Sequence, residues 1–161
     1  MADRMTSNPI VASGSVLGIG LGGFIDGILL HQVFQVHSML SGKVPLDSME
    51  HMRTNMMADG VFHAVMLVVT FVGIIMLFNA AQRQDVRYSG RAFVGAMIMG
   101  WGTFNVVEGL IDHQILGLHH VVERLGLSIW DWLFLAASVV LILIGGLMTR
   151  AATAPEDAQI R

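Results

Sequence analysis

The chain carries the same set of ionisable side chains twice, at the same spacing. In each copy a carboxylate is followed five residues later by one histidine and eleven residues later by another: Asp26, His31 and His37, then 82 positions further Glu108, His113 and His119. Both copies lie in or beside hydrophobic stretches, where an ionisable side chain is costly unless it is paired or bound to an ion. We therefore interpret the two motifs as a metal site in a membrane.

Composition indicates the class of protein before any motif does. The 161 residues are 54% hydrophobic and 13% charged, which is more apolar than an ordinary globular domain. The net charge is −3 and no dense basic run is present, so nucleic acid is not an expected partner. Cysteine is absent, which excludes disulfides, thiolate ligands and cysteine nucleophiles.

Four apolar stretches are each near the ~20 residues that a helix needs to cross a bilayer. They cover about residues 10–34, 59–81, 92–116 and 129–148. The sequence therefore predicts an all-α integral membrane four-helix bundle in residues 1–150, with the lipid bilayer as its surroundings. Residues 151–161 are predicted to form a short disordered cytoplasmic tail.

An internal repeat extends beyond the two motifs. Gly18 and Gly20 recur 82 positions later as Gly100 and Gly102, while the second and fourth stretches match at an offset of 72. A first outer loop ten residues longer than the other would account for the difference in offset. Two helices per half give both halves the same direction, which predicts two pseudo-symmetric helical hairpins about an axis along the membrane normal. Such an axis would bring equivalent ligands together.

Basic residues predict the orientation of the chain. One side of a four-crossing arrangement carries Arg4, Arg83, Arg87, Arg91, Arg150 and Arg161, and the other Lys43, Arg53 and Arg124. This asymmetry places both termini in the cytoplasm of a bacterial inner membrane. All seven histidines then fall in the outer half or the outer loops, so the metal site is expected towards the outer face.

Ideal helix geometry suggests which side chains share an ion. Asp59 and His63 are four residues apart and share a face. Asp26 and His31 diverge by about 140° on an α-helix, and His37 would lie roughly 16 Å from Asp26 along it. These distances predict a layered site rather than one compact cluster.

The leading predicted metal ligands are three histidines from three helices, His31, His63 and His113. Asp59 and Glu108 are predicted carboxylate ligands or catalytic proton acceptors, with Asp26 as the counterpart of Glu108. A second site, or a path that guides ions inward, is assigned to His37, His119 and His120.

Imidazole and carboxylate ligands leave zinc, copper and iron as candidate metals. Copper is also suggested by methionines near His51 in the predicted first outer loop: Met39, Met49, Met52, Met56 and Met57. Haem is a further alternative, because His31 and His113 could supply two axial imidazoles. The surrounding acids argue against haem.

Segments 22–32, 59–63 and 101–114, which hold Asp26, His31, Asp59, His63, Glu108 and His113, resemble a bacterial family of predicted membrane proteins of unknown function. The resemblance runs from about Ser15 to Met148. It implies a four-helix membrane protein and carries no activity to transfer.

Two functions follow from the residues. The first is a membrane metalloenzyme, an oxidoreductase or hydrolase, in which Glu108, Asp59 or Asp26 moves a proton for a lipid-soluble or outer-face substrate. The alternative is a non-catalytic protein that binds and delivers copper or zinc. The glycine-rich helix faces could also join subunits of a homo-oligomer.

Overall fold

The computed structural model describes residues 6–153 and consists of four long helices. The helices are α1 (Asn8–Asp26), α2 (Met49–Ala81), α3 (Gly90–Glu108) and α4 (Ile129–Thr153). A π-helical segment continues α1 over Gly27–Val33 and another continues α3 over Gly109–Ile115. All four helices are long and apolar enough to span a membrane. The predicted all-α membrane fold is confirmed.

Two helix ends differ from the predicted bounds. α2 begins at Met49, ten residues earlier than expected, so residues 49–58 form an N-terminal helical extension of α2 and not a loop. The hydroxyl of Ser48 caps it by accepting a hydrogen bond from the backbone N–H of His51 at 3.2 Å. Hydropathy marks only the lipid-facing part of a helix, and this helix continues beyond it. α4 runs through Thr153, so the first three residues of the predicted disordered tail are helical, while residues 154–161 lie outside the described part.

The helices pack in the order α2, α1, α3, α4, with α1 and α3 at the centre. Close approach of the central pair depends on two glycines. A Cβ atom on Gly18 would overlap the backbone carbonyl of Met97, and one on Gly100 would overlap that of Ser15. Small residues at such crossings let helix backbones meet in a bilayer, where burial from water does not drive association.

The outer helices α2 and α4 expose large apolar side chains along most of their length, including Val68, Phe71, Ile75, Val140 and Leu147. In water such surfaces would be unusual for a monomer. In a bilayer they are the lipid-facing sides of a spanning helix.

Contacts of the first half recur in the second half at the repeat offsets. The contacts of Gly18 with Met97 and of Gly100 with Ser15 exchange the two halves. Gly73 packs on Leu17, and the residue 72 positions later, Gly145, packs on Met99. The predicted two-fold relation between the hairpins is supported by these paired contacts and stays a prediction.

Candidate metal centre

The two π-helical segments bring together the carboxylate and the first histidine of each motif. A π-helix closes its hydrogen bonds between residues five apart, the spacing of Asp26 and His31. Asp26 Oδ2 lies 3.3 Å from His31 Nε2, and Glu108 Oε1 lies 3.0 Å from His113 Nε2. The expectation that such pairs diverge assumed an α-helix, and it is wrong here because the helix widens at Gly27 and Gly109.

The second histidine of each motif returns to the same place through a turn. The turns pass through residues with positive φ, Gln35 at 50° and its equivalent Gly117 at 55°, after which the chain folds back over the helix end. His37 and His119 then stack on each other with ring centroids 4.6 Å apart. The predicted 16 Å separation assumed a helix continuing to His37, but the helix ends at Val33.

Each returning histidine is held by the backbone of the other half. His37 Nδ1–H donates to the carbonyl of Val121 at 3.1 Å, and His119 Nδ1–H donates to that of Met39 at 3.1 Å. A carbonyl can only accept a hydrogen bond, so Nδ1 carries the proton in both rings. In a neutral imidazole the lone pair then lies on Nε2, the nitrogen that faces the cluster.

The first histidine of each motif is held by an acid from the neighbouring outer helix. His31 Nδ1 is hydrogen-bonded to Asp59 Oδ1 at 2.8 Å, whereas His113 Nδ1 lies 3.1 Å from Asp131 Oδ1 without the geometry of a hydrogen bond. Both acids also accept a backbone N–H, from Met39 at 2.9 Å and Val121 at 3.1 Å. Histidines that bind metals are usually oriented by such a contact at the second ring nitrogen.

The inward nitrogens and carboxylates form two overlapping groups that could hold a metal ion. One group is His31, His37 and His119, and the other is Glu108, His113 and His119. Within each group, one ligand atom per residue lies within 4.8 Å of the others. Ligands about 2.1 Å from a tetrahedral ion are themselves roughly 3.4 Å apart. Glu108 Oε1 lies 3.0 Å from His113 Nε2 and 2.9 Å from His119 Nε2, which is close to that separation.

The contact between Glu108 and His119 requires a proton or a cation. Its Oε1 lies 2.9 Å from His119 Nε2, whose ring proton is already placed on Nδ1 by the Met39 carbonyl. A lone pair facing a carboxylate at this distance is repulsive unless a proton or a metal ion lies between them. The Nε2 atoms of His31, His37 and His113 are also buried without a hydrogen-bond partner.

Four carboxylates of the cluster are almost completely buried: Asp26, Asp59, Glu108 and Asp131. Within residues 6–153, no lysine or arginine forms an ion pair with any of them. A buried carboxyl group is either protonated itself or needs a compensating charge, which here would come from protonated histidines or from a bound cation.

His37 lies in the outer loop, beyond the helical spans. Burial and the neighbouring imidazoles of His119 and His31 lower the pKa of His37 to about 3. Its ring is therefore neutral at physiological pH, and its Nε2 lone pair is free to bind a metal ion.

Of the three predicted leading ligands, His31 and His113 lie in the cluster and His63 does not. Gly27 borders the imidazole of His63, which stacks with Phe24 at a centroid distance of 5.9 Å. Asp59 lies one turn from His63 on the same face of α2. Its carboxylate contacts Nδ1 of His31, the ring nitrogen on the side away from the cluster. His63 therefore belongs to the contact between α1 and α2.

The remaining predicted residues lie at the edge or outside. His120 contacts the outer side of the cluster, with its Nδ1 3.4 Å from Asp131 Oδ1. His51 is exposed and pairs with Asp47 at 2.7 Å. Four methionines in the N-terminal extension of α2 are exposed: Met49, Met52, Met56 and Met57.

The cluster leaves little room for haem between His31 and His113. The stacked rings of His37 and His119 occupy that space, with centroids 4.6 Å and 4.8 Å from those of His31 and His113 respectively. One or two metal ions fit between rings at these separations. A porphyrin would require the rings of His37 and His119 to move out of the space between His31 and His113.

A cleft of about 630 Å³ opens between the two outer loops and includes His37 in its lining. Ser41 and Glu123, which are equivalent positions of the repeat, hydrogen-bond across it at 2.9 Å. Of the cluster residues, His37 borders this cleft.

The fold and the site define a multi-pass helical membrane protein with a buried cluster of histidines and carboxylates. The chain belongs to the family described as Predicted membrane protein (DUF2243), whose model matches residues 13–152. This confirms the family resemblance of the sequence. No curated protein and no solved structure matches the chain.

Proposed function

We propose that this protein is a membrane metalloenzyme that binds one or two transition metal ions at the histidine–carboxylate cluster. The observation that carries the proposal is the set of four imidazoles with their Nδ1 atoms against oxygen atoms and their Nε2 atoms turned inward: His31, His37, His113 and His119. Only a cation, as an ion or as protons, satisfies these nitrogens together with the facing carboxylates.

Each half supplies two histidines and one carboxylate. In the C-terminal half Glu108, His113 and His119 form such a group. Two histidines and a carboxylate that leave coordination positions open are typical of non-haem iron enzymes that activate oxygen. We therefore favour iron and an oxidoreductase over zinc, copper and hydrolysis, and Asp26 is the carboxylate best placed to move a proton.

Metal analysis tests the proposal directly. The protein is purified in detergent without chelator, and metals are measured by plasma mass spectrometry beside an optical spectrum. We expect one or two equivalents of iron, zinc or copper, lost in the His31→Ala/His113→Ala double variant. His51→Ala, which changes an exposed histidine, is the matched control and should retain the metal. Folded wild-type protein that neither contains nor rebinds metal would overturn the proposal.

Delivery of copper or zinc is the second candidate, favoured by the exposed methionines of α2. The two functions differ in how fast the ion leaves. A buried catalytic ion should resist a soluble chelator for hours, whereas a delivery site must release its ion readily. Rapid release, slowed when Met52, Met56 and Met57 are replaced by leucine, would favour delivery.

The proposed enzyme has both termini in the cytoplasm of a bacterial inner membrane and its metal centre towards the outer face. The cysteine-free chain allows a direct test, since Asp47→Cys and Arg83→Cys place single thiols at exposed positions at opposite ends of α2. An impermeant maleimide added to intact cells should label the first and not the second. The reverse pattern would contradict the orientation.

A further inference from the structure

A lipid-facing crevice runs along the contact between α1 and α3 and ends at the metal cluster. It consists of two cavities of about 240 Å³ and 190 Å³, which share the lining residues Ile25 and Trp101. The larger cavity is apolar and bordered by Gly18 and Gly22. Together the two reach the size range of small-molecule sites, about 300–1,000 Å³.

The lining of the smaller cavity is mostly apolar and includes two polar side chains, those of Asp26 and Asn105. Asn105 is 7% exposed, and its Oδ1 is buried without a hydrogen-bond partner in the described part of the chain. A buried amide oxygen without a hydrogen-bond partner is unfavourable, so this group is expected to have a ligand as its partner. Asp26 lies beside it and contacts His31 on its other side.

The corresponding position in the first half of the chain is filled by side chains. The residue equivalent to Asn105 in the first half is Gly23, where the side chains of Met66 and Phe104 fill the space. The opening is therefore not a packing defect imposed by the repeat. The two halves differ because position 105 carries an amide side chain, whereas position 23 is a glycine whose surroundings are filled.

We propose that this crevice binds a membrane-dissolved amphiphile with a hydroxyl-bearing end, such as a quinol or a long-chain alcohol. The apolar part lies along α1 and α3, and the hydroxyl group donates to Asn105 Oδ1 and reaches Asp26. A hydroxyl fits because Oδ1 can only accept a hydrogen bond and the neighbouring amide N–H can only donate one. That this molecule is the substrate rests on the proposed metal site, since Asp26 joins the crevice to the cluster.

Trp101, which lines both cavities, provides the probe. The chain contains three tryptophans, so the Trp130→Phe/Trp132→Phe variant leaves Trp101 as the sole fluorophore. In nanodiscs we would add a dibrominated long-chain alcohol, whose bromines quench tryptophan, and compare it with its methyl ether. We expect saturable quenching, with the alcohol binding about tenfold more tightly than the ether, the effect of one hydrogen bond.

Two variants test the assignment of the residues. Asn105→Leu should remove the preference for the alcohol, whereas Asn79→Leu, an exposed asparagine of α2, should keep it. Ile25→Phe narrows the crevice from the opposite wall and should weaken both ligands. Competition by a short-tailed benzoquinol distinguishes the sources: strong displacement identifies a quinol site, and weak displacement identifies an alcohol site.

Equal, non-saturable quenching by alcohol and ether would overturn the crevice proposal, as would an unchanged preference in Asn105→Leu. The binding measurement is independent of the metal analysis. Metal-free protein that still prefers the alcohol would contradict the metalloenzyme proposal and support the crevice proposal. Metal-loaded protein without this preference would contradict the crevice proposal and support the metalloenzyme proposal.

Discussion

Glu108 in the C-terminal half contacts two imidazoles, whereas Asp26 in the N-terminal half contacts one. Glu108 Oε1 lies within 3.0 Å of both His113 and His119, while Asp26 contacts His31 and does not reach His37. The two acids occupy matching positions of the sequence motif, and the side chain of Glu108 is one methylene group longer. The comparison indicates that the motif spacing places the side chains, while side-chain length determines how many imidazoles each acid contacts. The acid that contacts one imidazole also lines the lipid-facing crevice.

The largest expected effect comes from His119, which belongs to both ligand groups. His119→Ala should lower metal affinity by more than about 100-fold, because it removes a ligand nitrogen from either arrangement. His37→Ala, which affects one group, should have a smaller effect. Chelator-competition titrations measure both, with His51→Ala as control. Equal losses in the two variants would mean that the halves do not differ as proposed.

The next effect concerns the two acids that hold the first histidines. Asp59→Asn and Asp131→Asn should each lower metal affinity by about 10–100-fold, because the carboxylate that orients the imidazole is lost. Similar losses in both halves would support their equivalence. Asp47→Asn, at an exposed aspartate, controls for the general effect of removing a charge. If either acid can be replaced without loss, it does not orient a ligand.

Helix packing should respond equally in the two halves. Gly18→Val and Gly100→Val should each lower the free energy of unfolding by about 2 kcal/mol, because the new side chain meets a facing backbone carbonyl. Gly60→Ala and Gly146→Ala are matched controls with open space at the Cβ position. Denaturant titration in detergent measures the change. A strongly unequal pair would argue against equivalent crossings.

The smallest expected effect tests the length of the carboxylates. Glu108→Asp should lower metal affinity about tenfold, since it loses contact with one of two imidazoles, while Asp26→Glu should not lower it. Glu50→Asp, on the exposed start of α2, serves as control. Weaker binding in Asp26→Glu than in Glu108→Asp would reverse the roles assigned to the two halves.

Sequence reasoning could predict the membrane class, the four helices and the residues of the two motifs. These follow from hydropathy over about 20 residues and from repeated residue types, which are local properties. The departures from α-helix at Gly27 and Gly109 were missed because the apolar pattern continues through them. Their signal was present in the motif itself, since a carboxylate and a histidine five residues apart match the hydrogen-bond spacing of a π-helix.

The ligand role of His63 was predicted from its position on a third helix and its spacing from Asp59, and neither says on which side of a neighbouring helix a residue lies. α2 packs outside α1, so His63 meets Gly27 before it can reach the cluster. Asn105 was missed for a different reason. Its importance lies in an unpartnered oxygen beside a cavity, and neither feature leaves a pattern in the sequence.

The carbonyl contacts of His37 and His119 also bear on how the protein is made. Each of these two histidines relies on a backbone group that belongs to the other hairpin, so neither hairpin alone can orient its second histidine during synthesis. The first hairpin cannot complete these contacts until α3 and α4 have been inserted and the loop that carries Met39 has met the loop that carries Val121. If the cluster binds metal as proposed, the ion enters after assembly, and a bound ion would indicate that all four helices are in place.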